Sequence, residues 1–172
     1  MKVDKYITEN DAAEERLVEL LQEHGWRVST AESCTGGAVA AAVVNVAGAS
    51  DVFEEGFVTY SNTAKRKYLG VKGITLRTLG AVSRETAAQM CRGCCRMSGA
   101  QVGIATTGIA GPGGGTAEKP VGLVYIGCCV EGKVTVKKCR FGGSRGEVRR
   151  QTVETALCLA IRCIEAFRQR KA

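Results

Sequence analysis

Histidine is almost missing from this chain: His24 is the only one among 172 residues. It closes an early helical pattern, so a Ser-His-Asp triad or a histidine-rich metal centre has little to build from. Aromatic residues make up 5%, and none interleave with a basic block, which argues against a nucleic-acid surface. No apolar run is long enough to span a bilayer. Met1 to Arg16 is charged and lacks an apolar signal core, which predicts a cytoplasmic protein. Prolines number two, both within one loop, and there is no linker, repeat or low-complexity segment. A single domain is expected.

What is present suits a soluble globular core: 45% hydrophobic and 24% charged residues. The net charge of +7 favours anionic partners such as phosphorylated metabolites. Much of the excess sits at Arg162, Arg168, Arg170 and Lys171, where a solvated helix face explains it. Nine cysteines raise the question of metal or disulfides. Cys91-Arg-Gly-Cys94-Cys95 is the only C-x-x-C and lies in a helical stretch, with no second pair at zinc-site spacing. Buried, reduced thiols and no metal are therefore expected.

Helical and strand patterns alternate. Helices are expected at 11–24, 38–46, 62–69, 83–97 and 145–168, and strands at 26–31, 53–60 and 101–106. A hairpin is expected from 121–130 and 133–141, turned at Glu131-Gly132. This order predicts an α/β protein, a three-layer α/β/α sandwich around a mixed sheet. In such sheets ligands gather at the carboxyl ends of strands, where Ser33, Tyr60 and Thr107 all fall.

Four segments there could carry chemistry. In Thr30-Ala31-Glu32-Ser33-Cys34-Thr35-Gly36-Gly37, a small hydroxyl residue ends a strand, and a glycine pair then opens a helix. The glycines admit a substrate to the backbone, and free helix N–H groups could receive negative charge. Cys34 competes with Ser33 for the nucleophile's role. In Tyr60-Ser61-Asn62-Thr63-Ala64-Lys65, Lys65 could act as the base a serine needs. Bringing it from ~10.4 to near neutrality takes about 4 kcal/mol of differential solvation, which requires a closed pocket. On spacing alone an exposed helical lysine beside Arg66 and Lys67 is the plainer reading. The stretch from Thr106 to Pro120 holds five glycines and both prolines, a cradle for a phosphate or carboxamide with Lys119 at its rim, or a long connecting loop. Arg145 and Arg149 begin the last helix against the dipole's preference. They would suit a docked anion or plain solvation.

Taken together, Ala31 to Gly37, Tyr60-Ser61-Asn62 with Lys65, Gly80-Ala81-Val82-Ser83, and Thr107-Gly108-Ile109-Ala110-Gly111-Pro112 through Lys119-Pro120-Val121-Gly122 closely resemble the nicotinamide-nucleotide amidase family. This is the C-terminal domain of the competence/damage-inducible CinA proteins. The likeness covers nearly the whole chain in order. It implies deamidation of nicotinamide mononucleotide to nicotinic acid mononucleotide and ammonia, without a cofactor or metal, in a CinA-like sandwich that assembles as a homo-oligomer. It implies Ser33 as nucleophile with Lys65 and Tyr60 assisting. Thr35, Gly36, Gly37, Thr107, Gly108, Gly111, Gly114, Lys119 and Arg145 are the expected substrate contacts. Longer members carry an N-terminal nucleotide-processing domain, which is not expected here. Two other readings remain: a non-catalytic nucleotide-binding or regulatory module, and an interaction partner in DNA uptake or repair.

Overall fold

The computed structural model describes residues 13–170. Its elements are α1 (Ala13–His24), β1 (Val28–Glu32), α2 (Ala38–Val44), β2 (Phe53–Val58), α3 (Asn62–Leu69), α4 (Gly73–Thr78), α5 (Arg84–Ser98), β3 (Val102–Gly108), β4 (Leu123–Val130), β5 (Lys133–Arg140) and α6 (Arg145–Gln169). The first two residues of the expected opening helix, 11 and 12, lie outside the described residues.

The sheet has the order β2-β1-β3-β4-β5. β1 runs parallel to both β2 and β3, while β3–β4 and β4–β5 are antiparallel. Side chains alternate across such a sheet, so each face has its own core. On one face Val28, Val102, Ile104, Val124, Ile126 and Cys128 pack against α1, α2 and α6. On the other, Ala31, Ala105 and Cys129 meet Leu69 of α3, Leu76 of α4, and Met90, Cys91 and Cys94 of α5. The architecture is an α/β/α sandwich around a mixed sheet. No helix among the described residues is long and apolar enough to cross a membrane.

Helix ends are specified locally. Ser61 and Ser83 accept N–H bonds from Ala64 and Thr86, and Ser144 forms a capping box with Glu147, each holding an orphan donor of the first turn. Glu147 also supplies the acidic charge that the start of α6 favours, which lets Arg145 stand there. One helix departs from expectation. α4 is only six residues long, and its Gly73, Ile74, Thr75 and Thr78 have weak helical preference. It forms because Val71 and Leu76 bury into the α5-side core.

Strand ends also differ by one or two residues, and two of these shifts have a clear cause. β4 begins at Leu123 rather than Val121, because Gly122 turns the chain at φ +86°, where a Cβ would lie 1.9 Å from the Phe141 carbonyl oxygen. β2 stops at Val58. Thr59 N–H still donates to Glu32 O at 2.9 Å, but the Thr59 and Tyr60 carbonyls then turn away from the sheet.

Candidate active site

The carboxyl ends of β1 and β3 lie side by side, Glu32 opposite Thr106. Ser33 N–H extends that ladder one step, donating to Thr106 O at 3.0 Å. The chain then reverses through Gly36 (φ +61°) and Gly37 (φ +97°), a left-handed pair that side chains resist, and enters α2.

The turn is built around Glu32. Its carboxylate is 1% exposed and reaches under the start of α2. It accepts from Gly37 N–H at 2.9 Å, Val39 N–H at 3.0 Å, Ala40 N–H at 2.8 Å and the Thr35 hydroxyl at 2.6 Å. Thr35 spends its one proton on Glu32, so the Thr106 hydroxyl donates to Thr35 Oγ1 across 2.7 Å. This corrects the expectation that free helix N–H groups await substrate charge. The protein's own carboxylate takes them, as the helix dipole and unpaired N–H groups favour.

Ser33 and Lys65 meet directly. Lys65 comes from the first turns of α3 on the α5 side of the sheet and is 1% exposed, so the reading of an exposed helical lysine is overturned. Its Nζ lies 2.9 Å from Ser33 Oγ, 2.8 Å from Thr59 O and 3.0 Å from Tyr60 O. Burial lowers it from 10.5 to about 8, with the Cys34 thiol pulling weakly the other way. The geometry suits a neutral amine. Two N–H bonds go to the two carbonyls, and the lone pair is left facing the Ser33 hydroxyl. Charged, the same nitrogen donates to all three oxygens.

Cys34 is 6% exposed, and burial raises its thiol to about 11 despite its own N–H group, Lys65 and Arg149. It is a thiol at neutral pH, not a thiolate. Tyr60 contributes its carbonyl rather than its ring. The residue is 64% exposed and borders the cavity, and Lys65 is held by backbone.

These groups border a cavity of about 210 Å³ whose walls also include Ala81, Val82, Thr107, Gly108, Ala110 and Arg145. Thr107 Oγ1 donates to Ala81 O at 2.8 Å, tying β3 to the α4–α5 connection. Gly108 is glycine for packing, since a Cβ there would sit 2.6 Å from Val124 Cγ2 and 2.7 Å from Leu123 O. Arg145 is exposed at the rim, with Nη1 donating to Gly111 O at 2.9 Å.

The other expected contacts lie off the cavity wall. Thr35 is buried on Glu32, and Gly36 and Gly37 shape the turn. Gly111 is buried against Val121, Gly114 is exposed, and Lys119 Nζ donates to Leu79 O. The glycine-rich stretch folds back on itself through Thr116 N–H to Lys119 O, 2.8 Å, instead of opening a cradle into the cavity. Arg149 turns to the nucleophile turn, donating to Thr35 O at 2.7 Å.

The sequence pattern left Glu32 without a role and offered Arg149 only a docked anion or plain solvation, whereas Arg149 braces the nucleophile turn. Glu32 had a visible signal: an acid that ends a strand of small, uncharged residues six positions ahead of a helix start. Arg149 stood out only as a cation at a helix start, and its partner lies 114 residues away in sequence, where no local pattern points. Among the described residues no cluster of His, Cys, Asp or Glu could hold a metal ion, and all nine cysteines are unpaired in disulfides.

The family model of the CinA C-terminal domain matches residues 10–164. The chain belongs to the CinA C-terminal domain family. A CinA-like protein of Kosmotoga olearia is 52% identical over 158 residues, covering 91% of this chain and 38% of that relative. The CinA domain thus spans a little over a third of the curated relative. Among solved structures, the competence/damage inducible protein CihA from Agrobacterium tumefaciens superposes with TM-score 0.84 at 47% identity, covering 92% of this chain and 99% of that one. A CinA superfamily protein from Klebsiella pneumoniae gives TM-score 0.86 at 35% identity, covering 90% and 96%.

Proposed function

We propose that this CinA domain is an amidohydrolase that removes ammonia from the carboxamide of nicotinamide mononucleotide, with Ser33 as nucleophile and Lys65 as its base. One observation carries the reading: a buried lysine, lowered to about 8, lies 2.9 Å from a serine hydroxyl with its other hydrogen bonds taken by two carbonyls. A lysine with no need to be charged beside a hydroxyl is a proton acceptor.

The steps follow from those atoms. The Lys65 amine takes the Ser33 proton as Oγ attacks the carboxamide carbon, which the cationic pyridinium ring makes electrophilic. Glu32 holds the Gly37, Val39 and Ala40 N–H groups, and Gly36 N–H donates to Ser33 O. The N–H group of Cys34, a residue of the cavity wall, is therefore the oxyanion donor left in the turn, worth about 3 kcal/mol in the transition state. Lys65 returns its proton to the departing nitrogen, and ammonia leaves. Neutral again, Lys65 draws a proton from water as its oxygen attacks the acyl carbon, then passes that proton to the departing Ser33 Oγ, which restores the serine and frees the acid product, ionised to carboxylate in solvent.

At about 210 Å³ the cavity is smaller than the ~300–1,000 Å³ of sites that enclose a whole ligand. It suits a pyridine carboxamide and leaves ribose and phosphate at the mouth, beside Arg145. Purified protein incubated with nicotinamide mononucleotide is expected to release ammonia, and Ser33→Ala and Lys65→Ala are expected to abolish or strongly reduce release with the fold intact. Full turnover in Ser33→Ala would overturn the proposal. Binding without release in the parent protein would favour a regulatory nucleotide-binding module.

A further inference from the structure

Nine cysteines stand in a chain whose proposed chemistry uses no thiol, and four of them pair between the sheet and its helices. Cys128 and Cys129 are neighbours on β4, so their side chains leave opposite faces. Cys128 enters the α6-side core and Cys129 the α5-side core. Each meets a cysteine of the helix above it. Cys128 hydrogen-bonds with Cys163 of α6, and Cys129 with Cys95 of α5. Two helix-to-sheet dithiols therefore stand back to back on one strand.

The two pairs are not equivalent. Thr135 lies directly opposite Cys128 in the β4–β5 ladder, and cross-strand partners share a face. Cys163 sits over both, with the Cys128 thiol and the Thr135 hydroxyl hydrogen-bonded to its sulfur. The Cys128 hydrogen bond is the largest influence on Cys163. With Thr135 and the charge of Arg162 it outweighs burial and brings the thiol down to about 7. Cys128, holding its proton in that hydrogen bond and by burial, is raised. On the other face the strand partner of Cys129 is Val134, which offers no proton. The Cys129 hydrogen bond lowers Cys95, but the Cys94 hydrogen bond and burial outweigh it and leave Cys95 at about 12. Cys163 is half-buried on the wall of the open groove between β5 and α6, whereas Cys128 behind it is fully buried.

Cysteines that only fill a core behave as small apolar side chains and keep their protons. That role accounts for Cys95 and Cys129. It explains neither the hydroxyl donor beside Cys163 nor the solvent path to its sulfur. We propose that Cys163 and Cys128 are a redox-sensitive dithiol, oxidised by a hydroperoxide to a disulfide that ties α6 to β4. With hydrogen peroxide, the Cys163 thiolate attacks one oxygen and the O–O bond breaks. Hydroxide leaves with the electron pair and takes up the proton Cys163 had released, giving water and a Cys163 sulfenic acid. The Cys128 sulfur then attacks the Cys163 sulfur, the S–O bond breaks, and hydroxide leaves with the Cys128 proton as a second water. The two thiols lose two electrons, and the peroxide gains them. The site is separate from Ser33, since Cys163 stands about 27 Å along α6 from Arg145 at the cavity rim.

Peptide mapping by mass spectrometry tests this. The reduced protein is treated with hydrogen peroxide at neutral pH, then unfolded and alkylated with iodoacetamide. The expected product is a Cys128–Cys163 disulfide, reversed by dithiothreitol, with Cys95 and Cys129 still alkylated. Cys128→Ser keeps a hydrogen-bond donor to Cys163 but no resolving sulfur. It is expected to stop at the Cys163 sulfenic acid, trapped there by dimedone. Thr135→Val keeps the shape of the strand and removes one donor, and is expected to slow disulfide formation severalfold. Far-UV circular dichroism is expected to be unchanged in both variants. Absence of this disulfide in the parent, its earlier formation between Cys95 and Cys129, or conversion of Cys163 to sulfinic acid with Cys128 still alkylated would overturn the proposal. So would an unchanged rate in Thr135→Val.

Discussion

Gly93 sits in the middle of α5, where alanine ought to help. Replacing a mid-helix glycine with alanine gains about 1 kcal/mol of helix propensity. Here a Cβ would lie 2.3 Å from the Leu69 carbonyl oxygen and 2.8 Å from Leu69 Cβ, at the end of α3. Backbone cannot step aside as a flexible side chain can, so α3 and α5 must separate by about 1 Å to restore ordinary contact. Overpacking of this kind costs about 1–3 kcal/mol, more than propensity returns. Gly93→Ala is therefore expected to destabilise the protein by up to about 2 kcal/mol net, a fall of up to about 8 °C in Tm for a chain of this size. The second consequence reaches the site. Lys65 stands one turn before Leu69 on α3, and its Nζ is 2.9 Å from Ser33 Oγ. A shift of about 1 Å there is expected to lower kcat by about a hundredfold. Urea unfolding and ammonia release, with exposed Arg92→Ala in the same helix as control, give both readouts. A Gly93→Ala protein more stable than its parent, with kcat unchanged, would refute the close α3–α5 packing and its link to Lys65.

Glu32→Gln keeps size and shape but presents an amide N–H₂ to one of the N–H groups of α2. It also removes a charge from the helix start, so a loss of about 3 kcal/mol is expected in urea unfolding, with reduced kcat. A change below about 0.5 kcal/mol would deny Glu32 its part in the turn. Cys34→Ala removes a protonated, buried thiol and is expected to retain turnover within severalfold, whereas loss as complete as in Ser33→Ala would transfer the nucleophile to Cys34. Arg145→Ala is expected to raise KM for nicotinamide mononucleotide with little change in kcat, and an equal loss with a phosphate-free pyridine carboxamide would remove Arg145 from phosphate binding.

The sandwich was legible because its long elements carry their periods openly. α6 repeats Val153, Leu157, Ile161 and Ile164 along one side, and the β4–β5 turn announces itself in Glu131-Gly132. α4 was not legible, because its six residues owe their helix to tertiary packing. At the site, Ser33 and the glycine pair could be read from the strand–turn–helix pattern alone. Lys65 could be nominated but not buried on paper. Its environment is made by carbonyls of Thr59 and Tyr60 that leave the sheet, and by β1, which precedes it by about thirty residues in sequence. The glycine-rich loop misled in the opposite direction. Its glycines answer to close packing at Val121 and Val124 and to its own turns, not to an open cradle. Tyr60 shows the same limit, since a residue name calls attention to a phenol while the fold uses the carbonyl.

The neutral-amine mechanism stands or falls on the protonation of one nitrogen. Burial disfavours the charged form, so the Lys65 proton is to be lost as pH rises through about 8, well before that of an exposed lysine. Heteronuclear NMR titration of lysine Cε and Nζ, with Lys65 assigned by its loss in Lys65→Arg, reads this directly. A midpoint near 8, matched by the rise of kcat/KM to a plateau, is the expected result. A Lys65 that titrates at its ordinary 10.5, with kcat/KM indifferent to pH around 8, would contradict it.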